Sequence, residues 1–557
     1  MRTIFGFLAV LCVCAAVSVA QPVIDPDGVL NGASYVPSGL PNSGIAQGSI
    51  FIIKGNNLGP DVLDKAGFPL PLEFRGTNVK VTVQGQTVDA PILYTWTKQV
   101  AALLPSNTPR GNGMVTVIYN NRFSAPAPIT VVQQRFGIFT INSAGSGPAV
   151  ITDPDYQVNT LTFAARPNDV LVLWGTGLGP VFFNETEGAP VQDLDYAIEV
   201  YVGGKRADLT FKGRAPTLAG VDQINFRVPP GVVEGCYVPV VVRVGGVVSN
   251  VATMSIASGK RTCSDPLSYT EEELEKGRDK DDLRTGTLML NRAEVSLGTI
   301  PGLGELVWTL DDGRASFHRH NFRKLIGSIG AATYPPFGQC LVFPFQGQNY
   351  EVVYMDPSMP EGLDAGKVTV TGPKGEKELK LVAKGEYEAT LGGGGLVGMP
   401  GTLPDYLVKG AYTANVSGGA EVGAFTATLN FPDPLKWDNR AGINEVSRAQ
   451  DLRVTWSGGD AAREFVTILG FSMRNNPQVG AAFVCTERAA AGGFTLPSLV
   501  LSALPDTDAP ADMMSMPNGM LILGNSLMLG PSRFQAGRLD GGHFTYVVTT
   551  GKAVTYK

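Results

Sequence analysis

Two stretches of this chain spell the same folding unit. Gly48-Ser49-Ile50-Phe51-Ile52-Ile53-Lys54-Gly55-Asn56-Asn57-Leu58-Gly59-Pro60 aligns with Asn168-Asp169-Val170-Leu171-Val172-Leu173-Trp174-Gly175-Thr176-Gly177-Leu178-Gly179-Pro180. Farther on, Gln99 to Pro105 aligns with Gln223 to Pro229, and Gly111 with Gly235. Self-similarity of this kind means one supersecondary unit used twice. Each copy opens on a β-branched or aromatic run, which fits a pleated, largely buried strand. The glycines that close the run permit a turn that a Cβ would hinder, returning Leu58 and Leu178 to the core. Turn signals at Gly76-Thr77-Asn78, Gln84-Gly85-Gln86 and Gly203-Gly204 punctuate the strands. Their spacing predicts a small antiparallel sandwich of about 100 residues per copy.

Pro41-Asn42-Ser43-Gly44, then Gly48-Ser49-Ile50 and Gly55-Asn56-Asn57-Leu58-Gly59, resembles the opening of IPT/TIG domains, which are immunoglobulin-like. Leu58 stands where that family usually has Phe, and the second copy keeps Pro167 without the preceding glycine turn. The paired layout, with Asn31-Gly32-Ala33-Ser34-Tyr35 in front, also resembles a large group of secreted bacterial proteins. The resemblance covers about residues 29 to 258. It implies fold and export, and no particular ligand, because this fold carries many functions.

The N-terminus carries an export signal. Arg2 precedes a short apolar run from Ile4 to Val17, and Ser18-Val19-Ala20 offers small residues at the cleavage positions, leaving Gln21 first. Leu11 and Val13 precede Cys12 and Cys14, which argues against a lipid anchor, and no later run of about 20 apolar residues predicts a membrane helix. Cleavage leaves Cys236, Cys263, Cys340 and Cys485, an even set with no C-x-x-C pair, and so two structural disulfides are expected. Cys263 lies just past the second copy and would pin the following segment onto it through Cys236; Cys340 and Cys485 then pair by elimination. The formal charge of −6 excludes the basic surface that a nucleic-acid partner requires.

After Ser258 the composition shifts to a charged connector. Ser268 or Thr270 is placed to cap a short helix, with Glu three residues later completing a capping box. Strand runs then resume, including Val368 to Thr371, Val422 to Leu429, Leu452 to Trp456, Phe465 to Leu469 and Phe544 to Thr549, separated by glycine turns. The tail from Gly537 to Lys557 reads as a final hairpin. The expected architecture is all-β: a signal peptide (1–20), two immunoglobulin-like sandwiches (21–133 and 134–258), a connector with a short helix (259–300), and a larger β-sandwich-like unit (301–557), as one body or two. The C-terminal half carries no family motif.

Enzyme signatures are missing from the sequence. There are three histidines, His318, His320 and His543, with no Gly-x-Ser-x-Gly elbow, no His-Glu-x-x-His and no phosphate-binding loop. Asp153 with Asp155, Asp193 with Asp195, and Asp311 with Asp312 are carboxylate pairs by proximity alone, and turn roles account for them. His318 and His320 on one strand face would share that face with each other but have no third metal ligand in view, and Arg314, Arg319, Arg323 and Lys324 disfavour a cation there. That stretch reads instead as a basic contact strand, with His318, Arg319, His320 and Arg323 as its surface candidates. Of the five tryptophans, Trp437 sits among polar neighbours and is the surface candidate, while Trp96, Trp174, Trp308 and Trp456 read as core. The expectation is a secreted, non-enzymatic interaction or structural protein without a cofactor. Its modules would act as spacers, with the C-terminal unit meeting an extracellular protein or polysaccharide. The alternative is a carbohydrate-binding or polysaccharide-processing protein.

Overall fold

The computed structural model describes residues 21–187, 190, 191, 193–300, 304–322, 334–346, 351, 352, 360–510 and 517–557. The expected signal peptide and Arg323 lie outside the described residues. What is described is all-β apart from a few short helices, and no helix in it is long and apolar enough to cross a membrane.

The repeat reappears as a shared strand register. In the first module, strand Ile50–Asn56 pairs antiparallel with Gln99–Leu103 so that Ile50 faces Leu103 and Lys54 faces Gln99. In the second, strand Val170–Thr176 pairs with Asp222–Arg227 so that Val170 faces Arg227 and Trp174 faces Gln223. These are the same pairings carried across the sequence alignment. Gly111 and Gly235 each open a long strand of their module, Gly111–Tyr119 and Gly235–Val244. Each module closes a second sheet over the first to make an immunoglobulin-like sandwich, and Leu58 and Leu178 are fully buried in the two cores. The hairpin turns also correspond: Gln84-Gly85 and Gly203-Gly204 all have positive φ, as do Asn120-Asn121 and Gly245-Gly246. Two consecutive positive-φ residues make the tight turn whose twist matches a hairpin, so Asn and Gly interchange there.

The modules are joined rather than strung. The Ile50 N–H donates to Thr176 Oγ1 at 2.9 Å, and the Ser106 N–H donates to Glu185 at 2.6 Å. At the same junction Arg214 and Asp222 form an ion pair that is almost wholly buried, and Arg214 also donates to the Gly179 carbonyl at 2.7 Å. Val36 and Leu40 of the first module pack on Val479 of the C-terminal unit. Both modules therefore touch the C-terminal unit, the second through the core that Cys236 and Tyr237 share with Leu283 and Phe322.

The connector is shorter than the expected 259–300. Its helix, Glu271–Lys280, is capped by Thr270 with Glu273 in a capping box. The next residues, Leu283–Ile300, are a strand of the large C-terminal sheet, paired along their length with Gly304–His320. The connector thus ends near Asp282, at the start of that strand. A small core of Cys236, Cys263, Leu274, Leu283, Phe322 and neighbours holds helix, module and sheet together. The Cys236–Cys263 disulfide lies within it.

Among the described residues the C-terminal unit is built on a 15-stranded sheet, with a three-stranded and a two-stranded sheet beside it. The tail is not an added hairpin: Gly541–Ala553 lies mid-sheet, parallel to Leu283–Ile300 and antiparallel to Gly519–Leu527. The far end of the sheet curls back on this strand, where Phe431 meets Tyr546 with ring centroids 5.6 Å apart. Two cores result. Leu527, Phe544, Tyr546 and Val548 belong to the curled part. Leu521, Leu523, Val554 and Tyr556 belong to the other, which a small sheet bearing Trp437 and Trp456 covers. The same two chain segments feed both cores, so the question of one body or two resolves to two cores on one sheet.

Candidate binding face on the second module

The outer face of one second-module sheet carries an aromatic and amide cluster. Alternation along Val170–Thr176 sends Leu171 and Leu173 into the core and Val172 and Trp174 outward. Register places Thr152, Val172, Asn225 and Phe211 in one row across four strands, with Trp174 beside Gln223 in the next. The Trp174 indole N–H donates to Thr152 Oγ1 at 3.1 Å, which satisfies its polar edge and fixes the ring. Tyr156 lies beside it, centroids 6.4 Å apart and planes 22° from parallel.

Tyr156 is 73% exposed and is held up by a tight loop. The Asp153 carboxylate accepts from the N–H groups of Asp155 and Gln157, at 3.0 and 2.9 Å, and the Tyr156 N–H donates to the Asp153 carbonyl. Tyr156 takes φ of 61° there, a left-handed conformation that costs a bulky residue about 1 kcal/mol or more. The Gln223 side-chain amide donates to Asn225 Oδ1 at 2.9 Å. Gln223 Oε1 and Asn225 Nδ2 keep no protein partner among the described residues.

The first module has no such face. Lys54 occupies the place of Trp174, and Ala101 that of Asn225. Leu30, Ile52 and Ala101 are buried beneath Tyr35, Leu93 and Tyr94. Lys54 Nζ sits 5.3 Å from the Tyr35 ring centre. The two copies share the register but not the face: Thr152 (6% exposed) and Val172 (9%) are buried in the places of Leu30 and Ile52, while Trp174, Phe211, Gln223 and Asn225 stay partly exposed.

The residues singled out by sequence lie elsewhere. Trp437 is buried, 6% exposed, with its indole N–H donated to Asn439 Oδ1 at 3.1 Å. Its polar neighbours Lys436 and Asp438 point the other way along the strand, so they said nothing about the tryptophan's own face. His318 and His320 do share a face, their centroids 6.0 Å apart, but each is engaged: His318 Nε2 lies 2.7 Å from Glu386 and His320 Nε2 lies 3.1 Å from Thr285 Oγ1. Arg319 pairs with Asp282 at 3.0 Å and Arg314 with Asp312 at 3.4 Å, so the strand presents no free basic surface. Among the described residues, no group of three or more His, Cys, Asp or Glu side chains could hold a metal ion. Asp311 is buried against Arg292 and accepts from the N–H groups of Tyr406 and Leu407, while Asp193 accepts from the Lys212 N–H. Trp96, Trp174 and Trp308, read as core from sequence, are each partly exposed, whereas Trp456 is buried.

No family model matches the chain, and no curated protein does. Among solved structures it is similar to the full extracellular region of plexin A4, at 16% identity over 42% of this chain and a TM-score of 0.17. It spans 18% of that plexin chain. A titin I9–I11 tandem is similar at 7% identity, covering 70% of this chain and 94% of its own, TM-score 0.12. SGBP-B from a complex xyloglucan utilization locus in Bacteroides uniformis is similar at 10% identity, covering 84% and 100%, TM-score 0.17. At TM-scores of 0.12 to 0.17 these likenesses assign neither a fold nor a ligand to this chain.

Proposed function

We propose that this chain is exported, with cleavage after Ala20, and binds an extracellular polymer without turning it over. The contact lies on the second of two IPT/TIG-type modules rather than on the C-terminal unit. The observation that carries the reading is the contrast between the repeats: partly exposed Trp174 and Asn225 stand in the second copy where the first has Lys54 and the buried Ala101. The register shared by the two copies and the positive-φ turns support the IPT/TIG assignment. The Cys236–Cys263 and Cys340–Cys485 disulfides support export, since such bridges persist in oxidising compartments. Docking of both modules on the C-terminal sheet gives the face a rigid mount, which lowers the ordering cost of binding.

The test uses the mature chain, beginning at Gln21, immobilised and offered extracellular polymers one at a time: neutral polysaccharides, an acidic polysaccharide and matrix proteins. Retention of at least one, with its chain length unchanged after prolonged incubation, is the expected result. Shortening of a retained polymer, or retention of none, contradicts the reading.

A further inference from the structure

We propose that the face around Trp174 and Tyr156 binds a neutral polysaccharide; this rests on the binding reading above and names its ligand class. A sugar ring presents C–H faces bordered by hydroxyl groups. Its C–H face stacks on an aromatic ring, and its hydroxyls need neighbours that both donate and accept. Trp174 and Tyr156 supply two rings within 22° of parallel. Phe211 lies farther along, across the strand that bears Asn225. Gln223 and Asn225 lie between them, with one acceptor and one donor group open to a ligand.

Charge decides between neutral and acidic polymers. Thr152, Val172, Trp174, Phe211, Gln223 and Asn225 carry no charge, and the chain as a whole has a formal charge of −6. The cation next along that face, Arg227, lies across from Asp208 and donates to the Asn168 carbonyl, so an anionic chain would meet a cation already engaged, within a repulsive protein field. Size decides between a polysaccharide and a folded protein. Four strands and one side-chain repeat along them span about 14 Å by 7 Å. That area, on the order of 100 Å², is far below the ~800 Å² per partner of a standard protein interface.

The left-handed conformation of Tyr156 also fits this role. The loop from Asp153 to Gln157 spends its hydrogen bonds on holding one exposed tyrosine beside Trp174. Had that ring served only the core, it would not be 73% exposed.

The experiment is affinity electrophoresis and calorimetry of the mature chain with hydroxyethyl cellulose, galactomannan, dextran and alginate. At least one neutral polymer should retard the chain while alginate does not. Trp174→Ala should weaken that binding by about tenfold to a hundredfold, as expected for an aromatic anchor. Tyr156→Ala removes an exposed side chain that the fold does not need, and should weaken binding severalfold with an unchanged melting temperature. Trp174→Phe should recover much of the loss, and Lys54→Ala, at the matching place in the first module, should have no effect. Neutral-polymer binding unaffected by both Trp174→Ala and Tyr156→Ala overturns the site and leaves the binding reading standing. Retention of alginate or a matrix protein alone overturns the ligand class. Retention of no polymer in either experiment overturns both.

Discussion

Replacing Cys340 and Cys485 with serine will destabilise the whole C-terminal unit as one transition. The two cysteines face each other directly across neighbouring strands, Gln339–Gln346 and Gln478–Arg488, with Cα atoms 4.0 Å apart. The bridge closes a span of 145 residues. In the chain-entropy description such a loop contributes about 5 kcal/mol, an upper figure because residual structure in the unfolded chain reduces it. The loss should reach the curled core as well as the one holding the bridge. Strand Gly519–Leu527 supplies Leu521 and Leu523 to one core and Leu527 to the other, and the last strand segment is likewise shared. Thermal unfolding followed by calorimetry checks this. Two C-terminal transitions of which only one moves, or unchanged melting, would contradict it.

The second large effect concerns pH. Asp265 is buried beside the Cys236–Cys263 bridge, 2% exposed, and its Oδ2 has no hydrogen-bond partner among the described residues. Burial pushes its carboxyl up to about 6 from an ordinary 3.8, against the opposing pull of the Leu267 and Cys236 N–H groups. Between about pH 3.8 and 6 the folded state therefore holds a proton that the unfolded chain has released. The stabilising contribution is fully present below about 3.8 and is lost as pH rises through about 6. A shift of this size corresponds to about 3 kcal/mol. Asp265→Asn should leave stability near that of the parent at pH 4 and raise it above the parent at pH 7.5. Denaturant midpoints of parent and variant across this range give the comparison; a difference that stays constant with pH would rule out the carboxyl as its source.

Local signals survived from sequence to structure; distant pairings did not. The alignment of Ile50 with Val170 and of Leu103 with Arg227 foretold a register, because a strand pair and its turn repeat as one unit. The Thr270 capping box was legible because it is written within four residues. Both disulfides followed from an even cysteine count, the place of Cys263 just after the second module and elimination. By contrast, nothing local announces that Thr285 lies beside Gly541 in a parallel pair, so Leu283–Ile300 was assigned to the connector. The tryptophans failed for a different reason. Trp174 ends a continuous apolar run, and such a run does not disclose which of its two faces is left open. Trp437 has charged neighbours that occupy the opposite side of its strand from the core it fills.

The most direct test of the account is hydroxyl-radical footprinting of the mature chain with and without the neutral polysaccharide that retards it. Protection of Trp174 and Tyr156 by the polymer, with residues 360–557 unchanged, is the predicted result. Protection confined to residues 360–557, with Trp174 and Tyr156 as reactive as in the free chain, would contradict it.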